Sequence, residues 1–176
     1  TGDMTSSSLR KLRKIVDIFH VRAANPASPD WAVFHQDLEA ALRQLKAHQA
    51  EDVQRQINLR VVDYLRRTPD TVAMPLFPVQ ISIDNKATPH ATRLQIEGQD
   101  TPAFLYALST ALTLRHINIV RIGIETPDVG VRDTVDVTNR TGEKITDTDK
   151  LHELRFVIAL IKQFTHLLIR APNPAQ

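Results

Sequence analysis

At 176 residues, the chain is long enough for one domain, or for one domain with an appendage. Hydrophobic residues make up 42% of it but aromatic residues only 5%, which predicts a core of mainly aliphatic side chains. The absence of cysteine excludes disulfides and thiolate metal sites, and a net charge of +2 is too small to indicate a nucleic-acid-binding protein.

Neither end of the sequence carries a targeting or anchoring signal that we recognise. The first eight residues are small and polar, and we expect no signal peptide. The longest apolar-rich stretch, residues 156–169, is interrupted by Lys162 and His166 and is too short to cross a bilayer. Because the chain starts on threonine and ends in a proline-containing tail, we expect a piece of a longer cytoplasmic protein, with residues 171–176 as a linker to the remainder.

Residues 1–75 are predicted to form a helical arm. Apolar residues recur there at three- and four-residue spacing in three runs, which begin at Leu9, Trp31 and Val53. Asp30 is placed to cap the second helix, and Pro69 ends the third. We expect the three helices to pack on each other and on a neighbouring domain. The basic cluster at 10–14 is better explained as a solvated helix face than as a nucleic-acid interface.

Residues 76–170 change to an alternating pattern that predicts an α+β domain. Strands are indicated at 79–83, 94–96, 117–124 and 131–137. Between the second and third strands, Thr101 is placed to cap a helix whose first residue is Pro102, and Asp147 or Thr148 to cap a last helix. This order favours a ferredoxin-like sandwich. Either residues 79–83 or the tail 166–170 could supply the extra edge strand. For the tail, a helix is the preferred prediction.

Several segments of this domain resemble the last ACT domain of bacterial PII uridylyltransferases. Residues 79–92 (VQISIDNKATPHAT) resemble its start, and residues 99–106 (QDTPAFLY) its D-R-P-G-L-L-Y turn. Residues 116–119 (HINI) are similar to its second strand, and residues 135–147 to its third strand and the entry to its second helix. A weaker resemblance links residues 161–168 and the Ala-Pro-Asn-Pro tail to glutamine synthetase adenylyltransferases that carry an ACT domain.

The resemblance implies a regulatory domain that binds an amino acid at the interface of paired domains. The implied ligand contacts are Asp100, Thr101, Pro102, Ala103, Phe104 and Leu105 in the first turn, and Asn118 in the next strand. A helix N-terminus suits a carboxylate, since its amides are unpaired and carry partial positive charge. Asp100 is available for an ammonium group. Ala103 stands where the family has glycine, and Thr101 where it has arginine, so effector binding is an open question.

No residue pattern indicates a catalytic centre in this chain. Asp147 and Asp149 have the D-x-D spacing of a metal-dependent nucleotidyltransferase, but their position favours helix capping. Asp133 and Asp136 lie three apart on a predicted strand and should face opposite sides. The seven histidines are too scattered to suggest a metal site.

Two functions follow as hypotheses. The first is an amino-acid-sensing module, with glutamine as the expected effector, attached to the catalytic domains of a nitrogen-metabolism nucleotidyltransferase. The second is an ACT-fold module that has lost its effector and serves pairing alone, as a homodimer through the sheet edge. Neither requires a metal or a cofactor, and we expect no nucleic-acid or membrane partner.

Overall fold

The computed structural model describes residues 30–67, 77–127 and 130–168. The chain divides into two compact units, Thr1–Gln49 and Ala50–Gln176. The first predicted helix, residues 68–76 and the tail from residue 169 lie outside the described residues. The predicted domain limits at 75 and 170 therefore stay predictions. In the part of the chain that is described, no helix is both long and apolar enough to span a membrane.

Helix α1, Trp31–Lys46, is the described element of the first unit. The predicted cap is confirmed, since Asp30 Oδ1 accepts hydrogen bonds from the amides of Ala32 and Val33, each at 3.1 Å. Trp31 and Phe34 make an edge-to-face ring contact with centroids 6.2 Å apart. No residue of α1 is buried, so the expected packing of its apolar stripe is not seen among the described residues.

Helix α2, Ala50–Arg67, opens the second unit and confirms the third predicted helical run. It buries Val53 near its start and Leu65 near its end. Its polar side chains are tied to the following domain, because Gln54 Nε2 donates to the Tyr106 hydroxyl at 2.6 Å and that hydroxyl bonds Asn58. The structure thus connects α2 with the domain that follows it.

The second unit contains a four-stranded sheet made of β1 (Gln80–Asp84), β2 (Thr92–Gly98), β3 (Asn118–Glu125) and β4 (Val131–Thr138). Its order is β1-β2-β4-β3 and all neighbours are antiparallel. The α+β, ferredoxin-like prediction is confirmed. The early strand supplies the extra edge, and residues 166–168 are helical, so the strand alternative for the tail is wrong there.

Helices α3 (Phe104–Leu114) and α4 (Thr148–Leu168) follow β2 and β4 and cover one face of the sheet. Every second residue of the two central strands points to these helices, so Leu94, Ile96, Val135 and Val137 are fully buried. The helices contribute the other half of the core, chiefly through Leu108, Leu112, Leu154 and Ile158. The core is aliphatic, as the low aromatic content predicts.

The helix ends show one confirmed and one wrong prediction. Asp147 Oδ1 accepts a hydrogen bond from the amide of Lys150 at 3.0 Å, which confirms Asp147 as the cap of α4. Thr101 does not cap α3, and Pro102 is not its first residue, because α3 begins only at Phe104. Ala103 takes the cap position with left-handed backbone angles, φ 59° and ψ 12°, and no side chain caps the helix. The left-handed step turns the chain before the helix starts.

Candidate functional site

The turn from β2 into α3 is held against the start of β4 by a close backbone contact. Gly130 has a φ of +82°, and a Cβ atom there would lie 2.5 Å from the carbonyl oxygen of Gly98. Only glycine fits both the backbone angle and the space. The end of β2 and the beginning of β4 are therefore fixed side by side, which places the side chains of β4 beneath the turn.

A pocket of about 350 Å³ opens at this turn. Six of the seven residues that sequence analysis singled out line it, namely Asp100, Thr101, Pro102, Ala103, Phe104 and Leu105. The remaining walls come from α2 (Tyr64), from α3 (Tyr106), from the end of β3 and the residues after it (Ile124, Thr126), and from β4 (Val131, Asp133). The volume lies within the range of small-molecule sites.

Asn118 is not brought to this pocket. It begins β3 opposite Thr138, and its side-chain amide donates to the carbonyl of Asn139 at 2.9 Å. Ile124, which does line the pocket, lies six residues further along the strand, about 20 Å away at the usual rise. Helix α3 carries the chain back to the far end of the sheet before β3 begins. A role for Asn118 in ligand binding stays a prediction, and the pocket within a single chain does not support it.

The backbone of the turn differs in detail from a free helix N-terminus. The Phe104 amide donates to the carbonyl of Thr101 at 3.2 Å, so the turn itself uses that donor. The Thr101 side chain is buried, and its hydroxyl receives a hydrogen bond from Thr165 Oγ1 at 3.0 Å. Thr101 therefore anchors the turn to α4. The left-handed Ala103 costs about 1 kcal/mol relative to glycine, because its Cβ approaches the neighbouring carbonyl.

The floor of the pocket contains a buried carboxylate. Asp133 is only 3% exposed, and its Oδ2 is shut off from solvent and has no hydrogen-bond partner within residues 30–67, 77–127 and 130–168. Burial raises the pKa of Asp133, an effect that the nearby Lys162 opposes and Asp100 adds to. Since burying a charged group without partners is costly, this side chain requires an explanation beyond packing.

Lys162 of α4 lies buried near the same place. Its side chain is 1% exposed, and its Nζ is 4.0 Å from the centroid of the Phe104 ring, a cation–π contact. Burial lowers the pKa of Lys162, while Asp133 and Asp100 raise it. A cation therefore lies beneath the turn and close to the carboxylate. It does not supply the hydrogen bond that Asp133 Oδ2 lacks.

Comparisons with known proteins give one similarity in sequence. A segment of 89 residues, 51% of this chain, is 33% identical to the bifunctional uridylyltransferase/uridylyl-removing enzyme of Rhodospirillum rubrum. The match covers 10% of that enzyme, so the similarity concerns a small part of it. It agrees with the resemblance to PII uridylyltransferases. The chain matches no protein-family model, and no solved structure matches it.

Asp136, a second buried carboxylate of the same strand, has the hydrogen bonds that Asp133 Oδ2 lacks. Both residues belong to β4 and both are buried, but they face opposite sides of the sheet, as predicted. Asp136 receives two hydrogen bonds from Arg93, at 2.8 and 3.0 Å, in a bidentate ion pair. The open face of the sheet therefore satisfies its carboxylate, and the helix-covered face does not.

Sequence reasoning missed Asp133 and Lys162 as parts of the site. Asp133 was considered only as one of a pair of metal ligands, and Lys162 only as an interruption of an apolar stretch. A usable signal existed for Lys162, since it follows Ile158 by four residues and so lies on the apolar face of the last helix. The described residues contain no cluster of three potential metal ligands.

Proposed function

We propose that the second unit contains an ACT-type regulatory module that binds an amino acid in the pocket of the Asp100–Leu105 turn. The observation that carries this proposal is the pocket itself, in which six predicted contact residues meet above a buried carboxylate whose Oδ2 has no hydrogen-bond partner among the described residues. The strand order and the similarity to a uridylyltransferase segment support it. The chain contributes binding rather than catalysis.

The parent protein in this proposal is a nucleotidyltransferase of nitrogen metabolism. The support comes from the Rhodospirillum rubrum relative, whose name describes uridylyl transfer and removal. Glutamine is the proposed effector, as the family resemblance implies. Its binding would shift the orientation of attached catalytic domains only by the difference between its affinities for the two arrangements.

The chemistry of the pocket suits a small zwitterion. Its charged groups are the two carboxylates Asp100, which is exposed, and Asp133, which is buried. Its apolar walls come from Phe104, Leu105 and Ile124. An ammonium group can meet a carboxylate while the side chain contacts the apolar wall. Pockets of this kind combine a mainly apolar lining with few polar groups that fix orientation.

Isothermal titration of the whole chain with glutamine and other amino acids tests the proposal. We expect saturable binding, and we expect Thr126→Trp to abolish it, because residue 126 lines the pocket and a large ring would fill the space. Thr113→Trp, on the exposed end of α3, is the matched control. Absence of binding at millimolar ligand, or equal binding by both variants, would contradict the proposed site.

The second candidate, a pairing module without effector, is favoured by the exposed edge strand β3. Among the strands that the structure describes, this strand pairs with β4 alone, and it exposes Val120, Ile122 and Ile124 by 61%, 42% and 51%. An apolar strand edge is a template for pairing with a second copy. Sedimentation of the wild-type chain and of Ile122→Lys tests it. A homodimer that the lysine disrupts, together with no amino-acid binding, would favour pairing alone.

A further inference from the structure

We infer that Asp133 recognises the ammonium group of the ligand, so that the pocket accepts amino acids and excludes the corresponding 2-hydroxy acids. This inference rests on the proposed function and names the class of ligand that the same site takes. It assigns the decisive charge to a residue on the floor of the pocket, in place of the exposed Asp100 at the turn.

The burial of Asp133 is the first support. It lies on the helix-covered face of β4, between the buried side chains of its neighbours Ile96 on β2 and Val135. A valine there would continue the apolar core without cost. A carboxylate loses its hydration instead, and nothing in the described part of the chain gives Oδ2 a hydrogen bond in return. The side chain lines the pocket, so an ammonium group bound there lies next to the charge of the carboxylate.

The position of Lys162 is the second support. Its ammonium group contacts the face of the Phe104 ring at 4.0 Å, and it leaves Asp133 Oδ2 without a hydrogen bond. It offsets the negative charge from below through electrostatic attraction. The carboxylate charge is thereby stabilised in the interior without a hydrogen bond from the lysine to Oδ2.

Asp133 differs from the carboxylate of Asp100 in its burial and from that of Asp136 in its hydrogen bonding. Asp100 is exposed, and ion pairs between hydrated groups contribute little. Asp136 is buried but already bonded twice by Arg93. Asp133 alone of these three combines burial, a place in the pocket wall and an unused acceptor. A buried charge that meets its counter-ion on binding discriminates strongly against a ligand that lacks the charge.

The test compares two ligands and three variants of the whole chain by isothermal titration at neutral pH. The probes are L-glutamine and the 2-hydroxy acid with the same side chain. For the wild type we expect the hydroxy acid to bind roughly thirtyfold more weakly or worse. We expect Asp133→Asn to weaken glutamine binding by a similar factor, Asp100→Asn by about fivefold or less, and Asp136→Asn to leave the affinity within about twofold.

A second measurement does not depend on the folding of a variant. In the wild type with ¹³C-labelled aspartate, glutamine should move the side-chain carboxyl resonance of Asp133 more than those of Asp100 and Asp136. Thermal unfolding of each variant shows which ones fold.

The outcomes separate this inference from the proposed function. Equal affinity for glutamine and its hydroxy analogue, full binding by Asp133→Asn, or an unmoved Asp133 resonance would overturn the inference while the proposed function stands. If no amino acid binds the wild type at millimolar concentration, the proposed function fails and the inference falls with it.

Discussion

The two ends of the helix-covered sheet face differ in whether their buried polar groups are hydrogen-bonded. Where β2 begins, the Thr92 hydroxyl accepts from the Ile145 amide at 2.9 Å and bonds Asn85 Oδ1 at 2.6 Å. The side-chain amide of Asn85 donates to the Ile145 carbonyl at 2.9 Å, and its backbone carbonyl accepts a hydrogen bond from Lys144 Nζ at 2.6 Å. This closed network ties the β1–β2 turn to the segment that leads into α4.

Where β2 ends, buried polar atoms are left without partners. Three of the four such atoms in the described residues belong to this region: Gln99 Oε1, Asp133 Oδ2 and His166 Nδ1. Gln99 precedes the turn, and His166 follows Thr165, which bonds Thr101. The far end, around Arg115 and Asn139, has a pocket of similar size, about 390 Å³ against about 350 Å³. Pocket volume therefore does not distinguish the two ends, whereas the number of buried polar atoms without hydrogen bonds does.

The largest expected effect is on stability and comes from Thr92→Val. This change keeps the shape but leaves the buried Ile145 amide and the Asn85 side chain without their partner, so the free energy of unfolding should fall by about 2 kcal/mol. Thr101→Val, the matched change at the turn, should cost less than about 1 kcal/mol, because Thr165 keeps its bond to the Ile161 carbonyl. Urea unfolding measures both. Equal losses of unfolding free energy in the two variants would contradict the difference between the two ends of the sheet.

The next effect is the pH dependence of Asp133→Asn. Burial raises the folded-state pKa of Asp133 above the ordinary 3.8, so the native state binds more protons than the unfolded state between the two pKa values. Wild-type stability should therefore fall as pH rises through that window, with Lys162 and Asp100 as the charged groups that face the carboxylate. The variant should lack this fall and gain up to about 1 kcal/mol at neutral pH.

Urea unfolding of Asp133→Asn and Asp136→Asn across the acid range gives the measurement and its control. The Asp136 variant should lose stability at neutral pH, because Arg93 loses its bidentate acceptor. If both variants lose stability alike, Asp133 is an ordinary structural carboxylate.

Periodicity predicted most of the fold but not the state of the site. The alternation at 131–137 places Val135 and Val137 in the core, and the same alternation assigns Asp133 to that face. Whether its oxygens find partners depends on α4, more than twenty residues later in the chain, and no local pattern reveals it. The left-handed step at Ala103 was missed for a similar reason, since alanine gives no signal for positive φ.

The fate of Asn118 illustrates a further limit of sequence reasoning. It was predicted as a ligand contact from the family resemblance, as the residue at the head of the strand that follows the turn and its helix. The intervening helix reverses the chain direction, so β3 begins at the opposite end of the sheet. Six of the predicted contact residues line one pocket because they are neighbours in the chain. Order along the chain did not predict which parts of other strands would meet that turn.

A smaller effect is expected for Lys162→Met, which removes the cation beneath the pocket. The change removes the cost of burying the ammonium group, which is the larger effect at Lys162, but it also removes the attraction to Asp133. The two effects offset in part, so stability at neutral pH should change by less than about 1 kcal/mol. Because burial lowers the folded-state pKa of Lys162 below 10.5, wild-type stability should rise with pH between the two pKa values, and the variant should lack that rise.

Lys150→Met, at an exposed position of the same helix, is the control for this change. Alkaline urea unfolding of both variants provides the measurement. A large loss of stability in Lys162→Met alone would show that the lysine is required for the fold itself, and the contrast between the two ends would then lose its functional meaning.

The smallest expected effect concerns Tyr106, which lines the pocket and holds α2. Tyr106→Phe removes the hydroxyl that bonds Gln54 and Asn58, so we expect a loss of about 0.5 kcal/mol in overall stability. Hydrogen exchange should report a larger local change, with faster exchange in the first half of α2 and none in β2, since only α2 depends on these bonds. Unchanged exchange in α2 would mean that its buried Val53 and Leu65 suffice to hold it, and that the pocket and α2 are not coupled through this hydroxyl.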